Sequence, residues 1–281
     1  MNIQWYPGHM TKARRMIAEN LKLIDAVCEI IDARIPVSSR NPDLDEITGI
    51  KPRLIIFNRV DQADPGQNSK WISKLRETGA AVAPTDCKSG NGIGRVNSAV
   101  RELLAEKLAA YALKGQTGKK IRLMVVGIPN VGKSSFINRA AGRRATQTSD
   151  KPGVTRGKQW IALDNGLELL DTPGVLWPKF DDPIVAENLA FTGAIRDEIM
   201  DIEELGAILM SRLAMYYPQS PAERYKIKMT DSISGYDLLR SAAEKRGFKI
   251  SGGDYDTLRM ATVLLDEFRG GLLGRITLEH I

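Results

Sequence analysis

The chain has 281 residues, 43% of them hydrophobic, which is enough for one sizeable core and a smaller second one. A formal net charge of +6 fits either an ordinary charge imbalance or a polyanionic partner such as nucleic acid. The two cysteines, Cys28 and Cys87, exclude a disulfide framework and a cysteine metal site. The sequence shows neither a signal peptide nor a membrane-spanning run, so we expect a cytoplasmic protein with no membrane partner.

Hydrophobic periodicity predicts a helix over residues 10–24, followed by a series of short, apolar, β-prone runs. Such runs suit parallel strands that are covered on both faces. Helical patterns fall between them, notably over residues 92–112, and this alternation predicts the α/β class with a doubly wound, mostly parallel sheet. The predicted strands are Ala26–Ala33, Leu54–Phe57, Ala80–Pro84, Ile121–Val126 and Leu167–Leu170.

The second half of the chain has a different pattern. A polar segment, Leu113–Lys120, separates the first three predicted strands from the last two. After about residue 180 the β-prone runs stop and only helical patterns remain. We therefore expect an α/β domain over residues 1–180 and a small all-helical domain over residues 181–281. The helices predicted in the second domain cover residues 184–192, 201–216, 235–246 and 254–269.

A glycine-rich loop, Gly127–Ser134, lies between a predicted strand and a predicted helix and fits G-x-x-x-x-G-K-S. Glycines permit the tight turn whose N–H groups surround a phosphate, and the positive end of the helix dipole adds to the attraction. Lys133 is placed to reach the β- and γ-phosphates of a nucleotide, and the Ser134 hydroxyl to bind Mg²⁺. The motif does not distinguish GTP from ATP. The expected nucleotide-binding residues of this loop are Asn130, Val131, Gly132, Lys133, Ser134 and Ser135.

A second motif, Asn58–Asp61, follows the second predicted strand and resembles the guanine-recognition pattern N-K-x-D. The Asp61 carboxylate is suited to accept hydrogen bonds from guanine N1–H and the exocyclic amine, whereas adenine would leave a buried acceptor unpaired. We expect Asn58 to bond the other edge of the base and to join neighbouring loops. Arg59 replaces the usual lysine. Its aliphatic stem still covers a base, but the exchange is not neutral.

The loop after the third predicted strand, Thr85–Ser89, resembles the S-A-K loop whose N–H groups support guanine O6. Cys87, Lys88 and Ser89 are therefore further candidates for base contacts. An ordinary connection between a strand and a helix has a similar composition. The interpretation as a base-binding loop depends on its position after Asp61.

A third motif, Asp171–Gly174, follows the fifth predicted strand and matches D-x-x-G. Asp171 is suited to bind the Mg²⁺ shell through water, and the Gly174 N–H to contact a γ-phosphate. Many GTPases place a glutamine at the next position to orient the attacking water. Val175 cannot do so, and we expect slow hydrolysis unless another group or a partner supplies this role.

The polar stretch between the two phosphate motifs contains two candidate threonines. Thr155 is favoured to complete Mg²⁺ coordination, and Thr148 is its competitor. With Ser134 and phosphate oxygens, such a threonine forms an oxygen ligand set that suits a hard cation.

The segment Trp5–Met10 places aromatic residues, Pro-Gly and a histidine just before the first predicted helix. A neutral His9 imidazole is able to orient water, and its pKa suits proton handling near neutrality. The residue types in this segment, taken alone, favour the alternative: a helix-entry turn in which His9 is a surface or capping residue.

The guanine motif precedes the phosphate loop in this chain, the reverse of their order in most GTPases. This order, together with the motifs, resembles the ribosome biogenesis GTPase A (YlqF) family of circularly permuted bacterial GTPases. The resemblance covers nearly the full chain. The segments that carry it are Trp5–Met10, Asp32–Pro36, Asn58–Asp61, Gly127–Ser134, Pro152–Thr155, Asp171–Gly174, Ala190–Ile195 and Gly270–Leu272.

The resemblance implies a circularly permuted P-loop GTPase domain followed by a helical rRNA-binding domain, with GTP and GDP as ligands and Mg²⁺ as cofactor. It implies late assembly of the large (50S) ribosomal subunit as the process, with hydrolysis stimulated by the ribosome. The family has a hydrophobic residue in place of the catalytic glutamine, and its Pro-Gly-His element, here ending at His9, is the candidate replacement. The expected catalytic residues are then His9, Lys133 and Thr155. The resemblance also implies that Asn130 supports K⁺ binding.

Two other functions stay open at this point. One is a translation- or stress-linked GTPase switch with a protein partner, and the other is an ATP-dependent P-loop enzyme, which Asp61 argues against. We expect a monomer. The basic residues predicted to face rRNA are Arg212, Arg224, Lys226, Lys228, Arg240, Lys245, Arg246 and Lys249, although any one of them could simply lie on a solvated helix face.

Overall fold

The computed structural model describes residues 8–116, 118–142, 145, 159–229 and 233–281, with side chains from residue 11 onward. Within these ranges, six strands form one sheet. The strands are β1 (Ala26–Asp32), β2 (Arg53–Asn58), β3 (Ala81–Thr85), β4 (Ile121–Val126), β5 (Gln159–Ala162) and β6 (Leu167–Asp171).

The sheet has the order β3-β2-β1-β4-β6-β5, and its strands pair in parallel everywhere except between β5 and β6. Every residue of the central strand β1 is buried, as a parallel strand with helices over both faces requires. The predicted doubly wound, mostly parallel sheet is therefore confirmed. All five predicted strands are present, with ends that differ by at most one residue.

The sequence prediction missed strand β5. This strand lies at the edge of the sheet and runs antiparallel to β6. Only Ile161 among its residues is buried, so it lacks the continuous apolar run by which the other strands were identified.

Helices cover the sheet, and the helices after β6 pack into a bundle. Across the described ranges, none of them combines the length and the apolar character that a bilayer crossing requires. The helices are α1 (Gly8–Asn20), α2 (Asp43–Thr48), α3 (Pro65–Arg76), α4 (Val96–Leu103), α5 (Ala105–Leu113), α6 (Lys133–Ala140), α7 (Pro183–Phe191), α8 (Ile202–Tyr216), α9 (Gln219–Tyr225), α10 (Gly235–Arg246) and α11 (Thr257–Gly270).

The helix predicted over residues 92–112 is two helices. A 3₁₀ turn precedes α4, and the chain leaves helical geometry at Leu104 before α5 begins. Leu104 is buried, so packing of its side chain accompanies the break. The four helices predicted after residue 180 are present as α7, α8, α10 and α11, and the short helix α9 was missed.

The bundle packs α8 against both α10 and α11, and one hydrophobic cluster runs from the sheet into this bundle. The segment after α11 then returns to the α/β part. There, Ile276 N–H donates to the Gln62 carbonyl and Leu278 N–H to the Arg34 carbonyl. Because the core is continuous, the predicted domain boundary at residue 180 stays a prediction.

Candidate functional site

The predicted motifs meet at one edge of the sheet, where the parallel strands have their carboxyl ends. The guanine motif begins at the end of β2, the glycine-rich loop follows β4, and Asp171 is the last residue of β6. A cavity of about 1260 Å³ opens beside this edge and extends to the helical bundle. The predicted binding residues that line it are Asn58, Arg59, Asp61, Cys87, Lys88, Asn130, Gly132 and Ser135.

The glycine-rich loop has the tight, left-handed turns that its sequence predicted. Asn130 has a φ of 58° and Gly132 a φ of 106°. A Cβ atom on Gly132 would lie 2.4 Å from the Asn58 side-chain nitrogen, so only glycine fits between the two motifs. The loop thus depends on glycine for both its backbone geometry and its contact with the guanine motif.

Lys133 lies inside this loop. Its Nζ donates hydrogen bonds to the carbonyl oxygens of Gly127 (3.1 Å) and Ile128 (2.7 Å). Burial lowers the pKa of Lys133 to about 8, an effect that the nearby Asp171 carboxylate opposes. The loop therefore holds a buried ammonium group at the N-terminal end of α6, an arrangement that suits an anionic ligand.

Asn58 joins two loops, as the sequence predicted. Its Nδ2 donates to the Val131 carbonyl (2.9 Å), and its Oδ1 accepts from the Cys87 N–H (3.1 Å). The residue is buried, so these bonds are shielded from water. The amide fixes the glycine-rich loop and the Thr85–Ser89 loop relative to each other.

Arg59 spans from the guanine motif to the glycine-rich loop. It has a left-handed φ of 63°, and its Nη2 donates to the Asn130 carbonyl (3.0 Å). Two residues further on, Asp61 lines the cavity. Partial burial and the neighbouring Asp86 carboxylate raise the pKa of Asp61. A guanidinium group and a carboxylate therefore border the part of the cavity where the sequence predicts a base.

The Thr85–Ser89 loop uses its N–H groups internally. Cys87 N–H donates to Asn58, and the N–H groups of Lys88 and Ser89 donate to Asp86 Oδ1, at 2.8 and 3.2 Å. Each predicted donor to guanine O6 thus already has a protein acceptor, and the predicted base contact would need one of them to be shared or released. Burial raises the pKa of the Cys87 thiol to about 12, which leaves the thiol inert.

Two of the three side chains predicted to bind magnesium, Asp171 and Ser134, lie at the end of β6 and the start of α6. Asp171 is buried, and its Oδ1 has no hydrogen-bond partner. Burial raises its pKa to about 6, against the charge of Lys133. The described residues hold no cluster of acidic, histidine or cysteine side chains that would bind a metal alone. A buried carboxylate oxygen without a hydrogen-bond partner fits Mg²⁺ that would arrive with a nucleotide and supply charge stabilisation at its phosphates.

The D-x-x-G segment packs directly on the glycine-rich loop. A Cβ atom on Gly174 would lie 2.8 Å from the Pro129 nitrogen and 3.0 Å from Lys133 Nζ. The next side chain, Val175, is buried in the core, while its N–H donates to the Gly127 carbonyl (3.2 Å). Val175 therefore serves packing, which agrees with the expectation that it cannot orient water.

Three predicted residues lie beyond what the structure describes. Thr155 and its competitor Thr148 fall in residues 146–158, which are outside the described ranges. His9 belongs to the first turn of α1, but its side chain is outside the description. Their predicted roles stay predictions.

The sequence prediction missed the helical side of the cavity. Asn130 Nδ2 donates to the Gly193 carbonyl (2.7 Å), so this amide connects the glycine-rich loop to the segment after α7, and nothing here supports the expected K⁺ role. The one available signal was the family resemblance of Ala190–Ile195 and Gly270–Leu272. The residues of this side are Thr192, Gly193, Ile195, Arg196, Asp197, Glu198, Asp266, Arg269 and Gly270.

Comparisons with known proteins agree with this geometry. Residues 122–216 match the MMR_HSR1 family, described as 50S ribosome-binding GTPase. Ribosome biogenesis GTPase A of Priestia megaterium is 44% identical over 99% of this chain and 97% of its own length. The same name is carried by a Bacillus cereus protein that is 42% identical over 99% of this chain and 94% of its own length.

A solved structure has the same architecture. The GDP-bound structure of TM YlqF superposes with a TM-score of 0.69 at 25% identity, covering 95% of this chain and 99% of its own. The predicted permuted P-loop fold, the GTPase activity and the family resemblance are thereby confirmed. The chain is a GTPase and belongs to the ribosome biogenesis GTPase A family.

Proposed function

We propose that this GTPase binds GTP and GDP in the cavity between the sheet edge and the helical bundle. The observation that carries the proposal is the meeting of two motifs there: the guanine motif, with the Asp61 carboxylate and the Asn58 bridge, lies beside the glycine-rich loop that surrounds Lys133. Guanine presents the two adjacent donors that Asp61 is suited to accept, and the phosphates would extend toward the N-terminal end of α6.

The test of this site is a change of base preference. In Asp61→Asn, one acceptor becomes a donor, so guanine loses a charge-assisted hydrogen bond worth about 1.5–3 kcal/mol. We expect GDP to bind roughly 10- to 100-fold more weakly and xanthosine diphosphate to bind better. Asp164→Asn, at an exposed position in the turn after β5, is the matched control. Unchanged GDP affinity in the Asp61 variant would remove this residue from the base site.

For hydrolysis we propose that Lys133 positions the phosphates, that Ser134 and Asp171 hold Mg²⁺ (Asp171 through water), and that Thr155 completes its coordination. The buried Val175 side chain leaves the attacking water without its usual partner, and His9 is the candidate to orient it. In His9→Ala, we expect ribosome-stimulated GTP hydrolysis to fall by about 10²–10⁴-fold, while the affinity for nucleotide stays unchanged. If the variant keeps its ribosome-stimulated turnover but no longer binds the large ribosomal subunit, His9 is a docking residue instead.

We further propose that the protein acts in the cytoplasm, as a monomer, in late assembly of the large ribosomal subunit. The names of the relatives and of the matched family support a ribosomal partner. The test is to deplete the protein and to separate ribosomal particles. Stalled precursors of the large subunit are expected, whereas normal particles together with a protein partner would favour a translation- or stress-linked switch.

Contact with rRNA is the last part of the proposal, and the structure reduces the predicted basic set. Four of the eight residues are arginines that pair with carboxylates of the helical bundle, at 2.6 to 3.1 Å. These ion pairs partly neutralise the arginine charges. The four lysines are exposed and form the better candidates for phosphate contacts: Lys226, Lys228, Lys245 and Lys249.

A further inference from the structure

A buried arginine connects the α/β part to the helical bundle. Arg34 is 1% exposed, and its Nε and Nη2 donate to the two carboxylate oxygens of Asp32, at 3.0 and 2.8 Å. Its Nη1 donates to the carbonyl oxygens of Phe268 (3.2 Å) and Arg269 (3.5 Å) in the last turn of α11. One guanidinium group thus binds the end of β1 and the end of α11 together.

Asp32 also contacts a second arginine, which lies at the cavity. Asp32 Oδ2 lies 3.5 Å from Arg59 Nε, and Arg59 donates to the Asn130 carbonyl in the glycine-rich loop. Burial opposes ionisation of Asp32, but the charges of Arg34 and Arg59 and the hydrogen bonds from Arg34 hold its pKa below the usual value. The line Arg34, Asp32, Arg59 and Asn130 is therefore a continuous chain of charged and polar contacts.

Two residues at the far end of this line have left-handed backbones. Arg59 has a φ of 63°, a conformation that costs energy in most residues with a side chain and persists only where the surroundings hold it. Asn130 has a φ of 58°, which an asparagine adopts more readily. The bond from Arg59 to the Asn130 carbonyl joins these two positions. A change in the position of Arg59 would therefore also act on the glycine-rich loop through this bond.

A contribution to folding stability is a weak explanation for the buried pair of Arg34 and Asp32. A buried ion pair contributes little net stability, because desolvation of its charges offsets their attraction. Arg34, however, has a partner set that only an arginine provides, since its planar fork is bidentate to a carboxylate and still reaches two main-chain carbonyls. This favours a role in which the relative position of its partners matters.

We propose that Arg34 is a positioning residue for guanine-nucleotide binding, which it supports through Asp32 and Arg59 while holding the end of α11. The proposal rests on the nucleotide site proposed above. If Arg34 has this role, the shape of the nucleotide site on the base side of the cavity depends on the contact between Arg34 and the helical bundle. By linkage, nucleotide binding must then stabilise the α11 contact as much as that contact favours the nucleotide.

The first test measures GDP affinity in Arg34→Lys. A lysine keeps the charge but cannot bind Asp32 and both carbonyls at once, and we expect GDP to bind about tenfold more weakly, as for the loss of one charged hydrogen bond. Arg212→Lys is the matched control, because it weakens another partly buried arginine pair, with Glu187 at 2.6 Å, and should leave GDP affinity unchanged.

The second test asks whether Arg34 acts through Arg59. If it does, Arg34→Lys and Arg59→Ala together should weaken GDP binding by less than the product of the single effects. Independent, multiplicative effects would overturn the route through Asp32. Should Arg34→Lys fail to fold, the neutral double variant Asp32→Asn with Arg34→Gln removes both charges together and carries the same expectation for GDP.

The third test is amide hydrogen exchange over residues 268–273 with and without GDP. We expect GDP to slow exchange there in the unchanged protein and to lose this effect in Arg34→Lys at saturating GDP. Equal protection in both proteins, or GDP affinity unchanged in Arg34→Lys, would overturn the proposal. If Asp61→Asn still changes the base preference, the nucleotide site stands and only the role of Arg34 fails.

Discussion

Lys133 shows how one side chain of the site depends on the loop that surrounds it. Its ammonium group is buried and donates to two carbonyl oxygens of the loop, so its position is set before a phosphate competes for it. The G-x-x-x-x-G-K-S pattern was sufficient to identify this residue. The same pattern could not show that Asn130 points its amide at Gly193, because that partner lies 63 positions further along the chain.

At Lys133 we predict that substitution by alanine removes phosphate positioning and lowers GTP hydrolysis by about 10²–10³-fold, the usual cost of losing one electrostatic contact to the reacting group. Hydrolysis under saturating GTP measures this. Lys74→Ala, on the exposed face of α3, should behave like the unchanged protein. Wild-type turnover in a folded Lys133 variant would contradict the phosphate-loop assignment.

Secondary-structure elements were predictable where their burial produces a regular pattern of apolar residues in the sequence. The parallel strands are apolar on both faces and were identified to within one residue, whereas β5 has only Ile161 buried and was missed. The long helical pattern over residues 92–112 gave no sign of the break at Leu104, since both halves keep a helical periodicity. Short elements such as α9 have too few turns to produce a periodic signal.

The contact between the turn before α6 and the end of β2 gives a second prediction. Gly132→Ala should weaken nucleotide binding and cost about 1–3 kcal/mol of overpacking, because the new Cβ would lie 2.4 Å from Asn58 Nδ2. Gly115→Ala also places alanine at a positive φ, but with nothing within 4 Å. Nucleotide affinity and urea unfolding of the two variants separate the contact from the backbone cost. Equal behaviour would refute the steric argument.

At the scale of the whole molecule, the segment after α11 holds the two parts together. Glu279 accepts hydrogen bonds from Ser38 N–H (2.9 Å) in the α/β part and from Asn188 Nδ2 (3.1 Å) in α7. Trp71 of α3 donates to the Glu279 carbonyl (2.8 Å). No motif marked Glu279, because its role is visible only when residues far apart in the chain are brought together.

We predict that Glu279→Gln destabilises the protein by about 1–3 kcal/mol, since an amide N–H₂ would face donors and leave one of them unpaired. Chemical unfolding of this variant and of Glu223→Gln, an exposed control, measures the difference. The control should unfold like the unchanged protein. A Glu279 variant that unfolds at the same denaturant concentration would show that these bonds contribute nothing.

The same residue predicts a pH dependence. Burial raises the pKa of Glu279 above its ordinary value of 4.5, although the surrounding hydrogen bonds oppose this. The folded state therefore binds the proton more tightly than the unfolded state, and stability falls as pH rises above 4.5 toward the folded-state pKa. The unfolding free energy should show this decline in the unchanged protein and lose it in Glu279→Gln. If the unfolding free energy depends on pH in the same way in both proteins, other titratable groups cause the decline.

The return of the chain to its first half also has a consequence for synthesis. The carbonyl of Asp61 is bonded by Arg275, 214 positions later, and Arg34 obtains its α11 partners after a separation of 234 positions. Contacts between such distant positions cannot form until both positions have been synthesised. While a ribosome is still translating the helical region, the nascent chain already displays its guanine motif but lacks the wall that completes the cavity. A newborn chain should therefore be a poor GTP binder until the segment beyond α11 has emerged and docked.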